Sequence, residues 1–387
     1  MKNTGAQRYA ARTDNKTQLQ KSFTPEEETM SVFCLAAKPP SRAACCLLFW
    51  LCAAPLYGHA EGRVEWLFFP AVTAAHRTGL PPDDDLDSNE IIPSLDMLTT
   101  GNAGSISWLS EIFVSTDEQE WARLYAGWRL DNQNMLSAGK FHNQQGYWNT
   151  QFHHGAYLQT TIAKPGIMED ASPLPLHYVG AQFDGNISEL GDGLFNYSIG
   201  IGKGAVMQGT TLESPDIVGP NELGDLSLGL RLSYTLDETS PTQFGVFFVR
   251  NDIPVLSNAD WTSVTQDVAG LFANWESEPF RVIGESYFFY DKLEGNGATA
   301  SGSFWYAYVQ GEYRFVPRGT LYMRLEETSG TPDPYLDLFP DFALDTRLIG
   351  LRYDVIRNQA IKIEASHVQR LDDRFNQVQI QWSAVFP

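Results

Sequence analysis

The sequence predicts an all-β chain: an antiparallel transmembrane β-barrel of about fourteen strands, sixteen with one further pair, carrying long extracellular loops. Three observations predict it. Apolar and polar residues alternate with a period of two in segment after segment. The connections between those segments alternate between long and short. No run of 18 apolar residues follows the first 60 positions, so strands rather than helices are expected to cross the membrane.

Composition narrows the class further. The chain has 387 residues, 47 acidic against 27 basic, with 13% aromatic and only 19% charged residues. That excludes a disordered chain, a coiled coil and a compact basic nucleic-acid binder. Residues 1–60 read as a leader. Ala43 to Pro55 (AACCLLFWLCAAP) is a stretch of thirteen uncharged residues behind Lys38 and Arg42, and Gly58-His59-Ala60 precedes a cut at Glu61. A basic region, a short apolar core and small residues at the cut make a secretory signal, with core and cleavage region over 43–60. The start is Met1 or Met30. All four cysteines lie in the leader, and the remaining chain carries 20 basic and 43 acidic residues, a formal charge of −23.

Residues 61–104 form an N-terminal segment of their own. GRVEWLFFPAV is a candidate strand there, but it needs a partner to keep the strand number even; PPDDDLDSNE (81–90) reads as a solvated acidic loop. The barrel is expected over 105–387, with strands near 105–114, 119–130, 135–141, 175–184, 193–203, 225–235, 242–250, 264–275, 278–290, 302–315, 318–327, 345–356, 359–369 and 376–386. Ala122, Leu124, Ala126 and Trp128 alternate with Arg123, Tyr125 and Arg129 in the second of these. Trp305, Ala307, Val309, Gly311, Tyr313 and Phe315 form an apolar face with aromatics at both ends, as a lipid-facing strand requires. Leu325 and Leu351 are expected on that lipid face near the midplane. Long connections fall at 142–174, 204–224, 251–263, 291–301 and 328–344, and short ones such as DNQN (131–134) and Arg357-Asn358 lie between them. The chain closes QIQWSAVF, an apolar-aromatic ending that resembles the terminal strand recognised by outer-membrane assembly machinery, with Pro387 departing from that pattern.

The opposite face of each strand is expected to line a lumen. Its charged members are Arg123, Arg129, Lys140, Arg231, Arg281, Glu285, Glu312, Arg314, Arg324, Glu326, Arg352, Asp354, Lys362 and Glu364. Loop 142–174 is longer than a hairpin needs and rich in aromatics and amides, so it is expected to fold inward, with Trp148, His153, His154 and Tyr157 at a constriction. Basic residues outnumber acidic ones on this face, and the excess acid is expected on loop tips bathed in electrolyte. That balance predicts weak anion preference or near-neutral selectivity.

One segment carries a family likeness. SAGKFHNQQGYWNTQFHHGAYLQTTIAKP (137–165), a strand ending Gly-Lys-Phe followed by Gly-Tyr-Trp-Asn, resembles Gram-negative porins related to the phosphate-selective porin superfamily. Gln144-Gln145 stand where that family has Pro-Phe. The resemblance implies an outer-membrane channel. Phosphate selectivity there relies on a lysine-rich pore, and only five lysines follow the leader, so that specificity does not carry over.

No G-x-S-x-G, H-E-x-x-H, P-loop or C-x-x-C motif follows the leader, so no catalytic residues, cofactor or metal are expected. Asp333, Asp337, Asp341 and Asp345 border one loop, where calcium is weighed against a solvated acidic surface and the latter preferred. The leading expectation is a porin-like channel in the outer membrane of a Gram-negative bacterium, passing small hydrophilic or ionic solutes without catalysis. Its partners would be outer-membrane lipid, lipopolysaccharide and the assembly machinery, with no nucleic acid and with homo-oligomerisation open. A plugged barrel acting as an adhesin or interaction protein is the alternative, and an outer-membrane hydrolase a more distant one.

Overall fold

The computed structural model describes residues 63–387 except 83, 85, 117, 153–154, 188–192, 220, 237–240 and 259. The leader lies outside the described residues. The strands are β1 (Arg63–Thr78), β2 (Asn89–Ala103), β3 (Ile106–Ser115), β4 (Gln119–Arg129), β5 (Asn134–His142), β6 (His177–Ile187), β7 (Leu194–Lys203), β8 (Val206–Gln208), β9 (Thr211–Glu213), β10 (Leu226–Thr235), β11 (Gln243–Leu256), β12 (Ser263–Ser277), β13 (Phe280–Gly295), β14 (Ala298–Val316), β15 (Gly319–Ser329), β16 (Asp345–Ile356), β17 (Gln359–Gln369) and β18 (Arg374–Ala384). Sixteen of them pair antiparallel in chain order and close the barrel where β1 meets β18, from Ala71↔Ser383 to Thr78↔Asn376. The short strands β8 and β9 form a hairpin outside that ring, and β7 pairs directly with β10.

The count is therefore sixteen rather than fourteen, and the barrel begins at Arg63 rather than at 105. The segment set apart at 61–104 supplies β1 and its partner β2, so parity is kept. Two prolines obscure both strands in the sequence. Pro70 lies just before the β1–β18 ladder begins at Ala71, and Pro93 just outside the β2–β3 ladder that begins at Ser94. Pro93 thus has a strand partner on one side only, whereas Pro70 falls in a gap of the β1–β18 pairing, between the Phe68↔Phe386 bridge and Ala71↔Ser383. An interruption or edge is the place in a sheet where a residue without an N–H is tolerated.

Exposure is inverted relative to a soluble sheet. On β18 the apolar Ile380 is 51% exposed while its neighbour Gln381 is 5% exposed. An apolar exterior over a polar interior is stable only in a hydrocarbon solvent. The wall is uneven in height. Strands β3 to β7 have 9 to 11 residues, about the length that spans a bilayer at a tilt, whereas β12 to β14 have 15 to 19. Loops expected at 251–263 and 291–301 are largely strand; β13 and β14 join through Asn296-Gly297, both at positive φ (42° and 81°), the two-residue turn that suits a twisted hairpin.

Two expectations about faces change. In β4 the register shifts against β3, with Glu111 opposite Arg123 but Ile112 opposite Trp121. Ala122 is the extra residue, and this bulge brings Glu120 and Arg123 both inward. Leu325, expected near the midplane, faces Arg347 across the ladder, so it lies level with an outward charge nearer the rim.

We expect the protein to migrate differently in boiled and unboiled samples on gels, because a closed ladder has no edge at which unfolding can begin. Identical migration, with recovery in a soluble fraction, would contradict this fold.

Candidate permeation path

The connection between β5 and β6 (143–176) enters the barrel. Among its described residues are only one helical turn (Trp148–Gln151) and one 3-10 turn (Gly166–Met168), so most of its peptide groups need partners from elsewhere. The wall supplies them. Glu285 accepts the Trp148 N–H (2.7 Å), Glu326 the Gly166 N–H (2.7 Å), and Glu364 those of Ile162 (2.9 Å) and Ala163 (3.2 Å). Arg324 donates to the carbonyls of Ala163 (3.0 Å) and Lys164 (2.5 Å). Lys362 donates to Ala156 O (2.6 Å) and Thr161 O (3.0 Å), and Arg352 to Tyr157 O (2.7 Å) and Gln159 O (2.8 Å). Glu312 accepts from Thr160 Oγ1 (3.0 Å), Arg231 donates to Gly146 O (3.2 Å), and Arg281 reaches the Tyr147 hydroxyl (3.3 Å).

Nine of the fourteen charged residues assigned to the lumen thus hold a strap, and four of these also border open space: Arg231 on the low side and Arg281, Glu312 and Arg352 on the tall side. Charge-assisted bonds fix the strap against β10 and β13 to β17; seven of the nine residues reach backbone groups, and Glu312 and Arg281 reach side-chain hydroxyls. Much of the tall half of the barrel is filled behind it. Phe289 stacks on Phe304 at 4.2 Å, and Tyr306, Tyr308, Tyr335, Phe339 and Phe342 join Trp148 in one buried cluster with the 330–344 loop.

The remaining five stand elsewhere. Arg123 pairs with Glu111 (2.5 Å). Lys140 is fully buried against Glu120 (2.9 Å) and Asp216 (3.4 Å). Arg314 pairs with Glu278 at an exposed turn and Asp354 with Arg352 (2.9 Å), while Arg129 borders a cavity. Of the expected constriction residues, Trp148 is buried in the aromatic cluster. Tyr157 donates its hydroxyl to Arg357 O (2.6 Å) beneath the Arg352 guanidinium. His153 and His154 lie outside the described residues. Three of the four loop aspartates diverge: Asp333 caps the turn at Tyr335 and Leu336, Asp341 pairs with Arg370, and Asp345 accepts the Thr328 N–H.

Open volume lies in three chambers: one of about 410 Å³ at the short-turn end of the tall side, bordered by Arg281, Glu312, Arg314, Arg352 and Asp354, and two on the low side of the barrel. At the long-loop end, about 620 Å³ is bordered by Glu118, Glu120, Glu169, Asp170, Glu213 and Asp216, with Lys164 and an apolar floor of Leu174, Leu176 and Leu212. Burial pushes the Glu118 and Glu169 carboxyls up to about 7; Asp170 and Glu120 add to the shift of Glu118, and Lys164 opposes that of Glu169. At the short-turn end of the low side, about 520 Å³ is bordered by Arg123, Arg129, Arg231, Asp131 and Asp184, by Tyr125, Phe141 and Tyr197, and by nine carboxamides including Asn132, Asn134, Asn186 and Asn196. Between the two low-side chambers stand His142 and His177, register partners with rings 5.0 Å apart; His142 borders the lower chamber and His177 the upper.

Sequence reasoning missed Glu111, Glu120 and Asp216. Glu111 was readable from the same alternation that placed Arg123. Glu120 was hidden by the bulge, and Asp216 comes from a loop whose path no periodicity reveals.

No protein-family model and no curated protein matches the chain. Among solved structures, the anion-selective porin from Comamonas acidovorans superposes with a TM-score of 0.57 at 10% identity, over 84% of this chain and 100% of that one. The outer membrane channel DcaP of Acinetobacter baumannii superposes with a TM-score of 0.53 at 11% identity, over 84% and 97%. Such identities carry architecture and not chemistry. The chain has the barrel fold of the Gram-negative outer-membrane porins.

Proposed function

We propose that this chain is a passive channel of the outer membrane for small hydrophilic solutes. The observation that carries the reading is the pair of polar chambers along the low wall, one open to each end, inside a barrel with an apolar exterior. The leader would deliver the chain, and the short-turn end would face the periplasm. The C-terminal strand, held to β1 through Phe68 and Phe386, would engage the assembly machinery. Lipopolysaccharide would surround the long-loop rim, and self-association belongs to the same reading. Single-channel conductance in planar bilayers tests it. Discrete conducting steps support it, whereas a silent membrane favours the second reading, a barrel plugged for an interaction role. That reading draws on the strap and the aromatic cluster filling much of the tall half.

Ion preference follows the upper chamber rather than the arginines. Most of those arginines are occupied by the strap, and six carboxylates face Lys164 across a confined space where screening is weak. This departs from the expectation of weak anion or neutral selectivity, which placed the surplus acid on solvated loop tips. Glu118 faces Asp170, Glu120, Lys164 and Lys140; Glu169 faces Lys164, Asp170, Arg324 and Glu326. With both carboxyls titrating about 7, protons leave as pH rises, so negative charge and cation preference grow between pH 6 and pH 8. Reversal potentials across a KCl gradient at the two pH values measure it; anion preference at both would refute the assignment.

A further inference from the structure

The low-side chamber at the short-turn end has a lining unlike the rest of the barrel. Nine of its 22 bordering residues are carboxamides, against two of 18 in the upper chamber. The glutamines come from separate elements: Gln133 from the β4–β5 turn, Gln144 and Gln151 from the strap, Gln182 from β6 and Gln243 from β11. From these observations we propose that the chamber binds neutral, hydroxyl-rich solutes of the saccharide class as they pass. This inference rests on the channel reading and names the solute that reading leaves open.

The chemistry follows from what each group offers. A carboxamide presents a donor and an acceptor side by side without charge, and a hydroxyl is both donor and acceptor, so neighbouring hydroxyls can exchange water for carboxamides with little loss. The ionic groups around the chamber are largely engaged. Arg123 is held by Glu111 and Arg231 by Gly146 O and Gln243. Asp184 accepts from Gln182 Nε2 (2.9 Å and 2.8 Å) and Ser198 Oγ (2.6 Å), and Asp131 from Asn134. Asn134, Gln144, Gln182 and Gln243 bond within the lining as well, so apart from Arg129 what remains toward the space is neutral dipoles, chiefly those of Asn132, Gln133 and Gln151. Gln182 is also oriented, accepting from Gln144 Nε2 (2.7 Å) and from the Tyr178 hydroxyl (2.9 Å). An aromatic platform completes the lining, with Tyr125 stacked on Phe141 at 4.8 Å. A flat apolar ring face suits the C–H face of a pyranose, and a few oriented polar groups around it set the pose. The volume of about 520 Å³ is in the range of small-molecule sites.

The test uses the full barrel in planar bilayers carrying KCl current, with maltotriose added at the short-turn side and a polyethylene glycol of matched size as control. Maltotriose is expected to reduce conductance saturably, with a half-blocking concentration about tenfold below that of the glycol, equivalent to 1.4 kcal/mol. Gln151 is exposed on the strap and makes none of its anchoring bonds, so Gln151→Ala should raise that concentration severalfold relative to the glycol's. Tyr125→Leu, which removes the platform, should do the same. KCl conduction with maltotriose no better than the glycol, or block indifferent to both substitutions, overturns the inference and leaves the channel reading intact. Absence of KCl conduction overturns the channel reading. Calorimetry of maltotriose with the detergent-solubilised barrel then decides the chamber alone, with measurable, Gln151-dependent heat supporting it and no heat refuting it.

Discussion

Arg324→Ala is expected to cost about 3–5 kcal/mol of stability and to raise the single-channel conductance. The guanidinium is fully buried and pairs with Glu326 (2.6 Å), whose side chain is equally buried. It also donates to Gln310 Oε1 (3.2 Å) and to two strap carbonyls. Truncation therefore leaves a buried carboxylate without its cation and two backbone acceptors without donors. The strap loses both carbonyl bonds at Ala163 and Lys164 and keeps there only the Ala163 N–H bond to Glu364 among its ties to the wall. Replacing both charges, as in Arg324→Met with Glu326→Leu, should recover part of the stability, because no charge is then left uncompensated. Denaturant unfolding of the reconstituted barrel and conductance traces read the two effects. A single variant with wild-type stability and wild-type current would show that the strap does not depend on this residue.

The strap also explains which parts of the molecule were legible. Strand positions were, because a lipid exterior demands apolar side chains at every second residue and the sequence displays that demand directly, as in Val378, Ile380 and Trp382. β1 and β2 were not, because Pro70 and Pro93 interrupt the signal at places where only the finished sheet shows that a missing N–H is tolerated. The same parity placed Glu285, Arg324, Lys362 and Glu364 on the inner face. It could not show what they meet there, since alternation gives the side of the wall and not the contents of the barrel. Their role as backbone anchors depends on the path of residues 143–176, and that path is fixed by contacts between residues more than a hundred positions apart. The carboxamide chamber was hidden for the same reason. Its members are scattered from Gln133 to Gln243, and each alone is an ordinary polar residue.

Leu351→Arg should destabilise the barrel by about 2–4 kcal/mol, whereas Leu325→Arg should cost only about 0–1 kcal/mol. Both leucines point outward and are exposed, so burial within the protein does not separate them. Depth does. Leu351 is flanked across the ladders by Leu321 and Ile363, and along its strand it lies four residues from the outward Arg347 and two from Tyr353. At about 3.3 Å per residue this sets it well inside the apolar band, where a guanidinium can reach water only by dragging its stem past other side chains. Leu325 lies beside Arg347, a level at which the barrel already carries an outward cation. A third variant controls for the other face. Asn196 borders the short-turn chamber, and Asn196→Arg places the same charge in a wet, polar space beside Asp184, so it should be near neutral. Folding into phospholipid vesicles across a denaturant gradient ranks the three. The expected order is Leu351 far above Leu325, with Asn196 at the bottom; equal costs at all three positions would mean that both faces of the sheet are packed and that no hydrocarbon band surrounds this barrel.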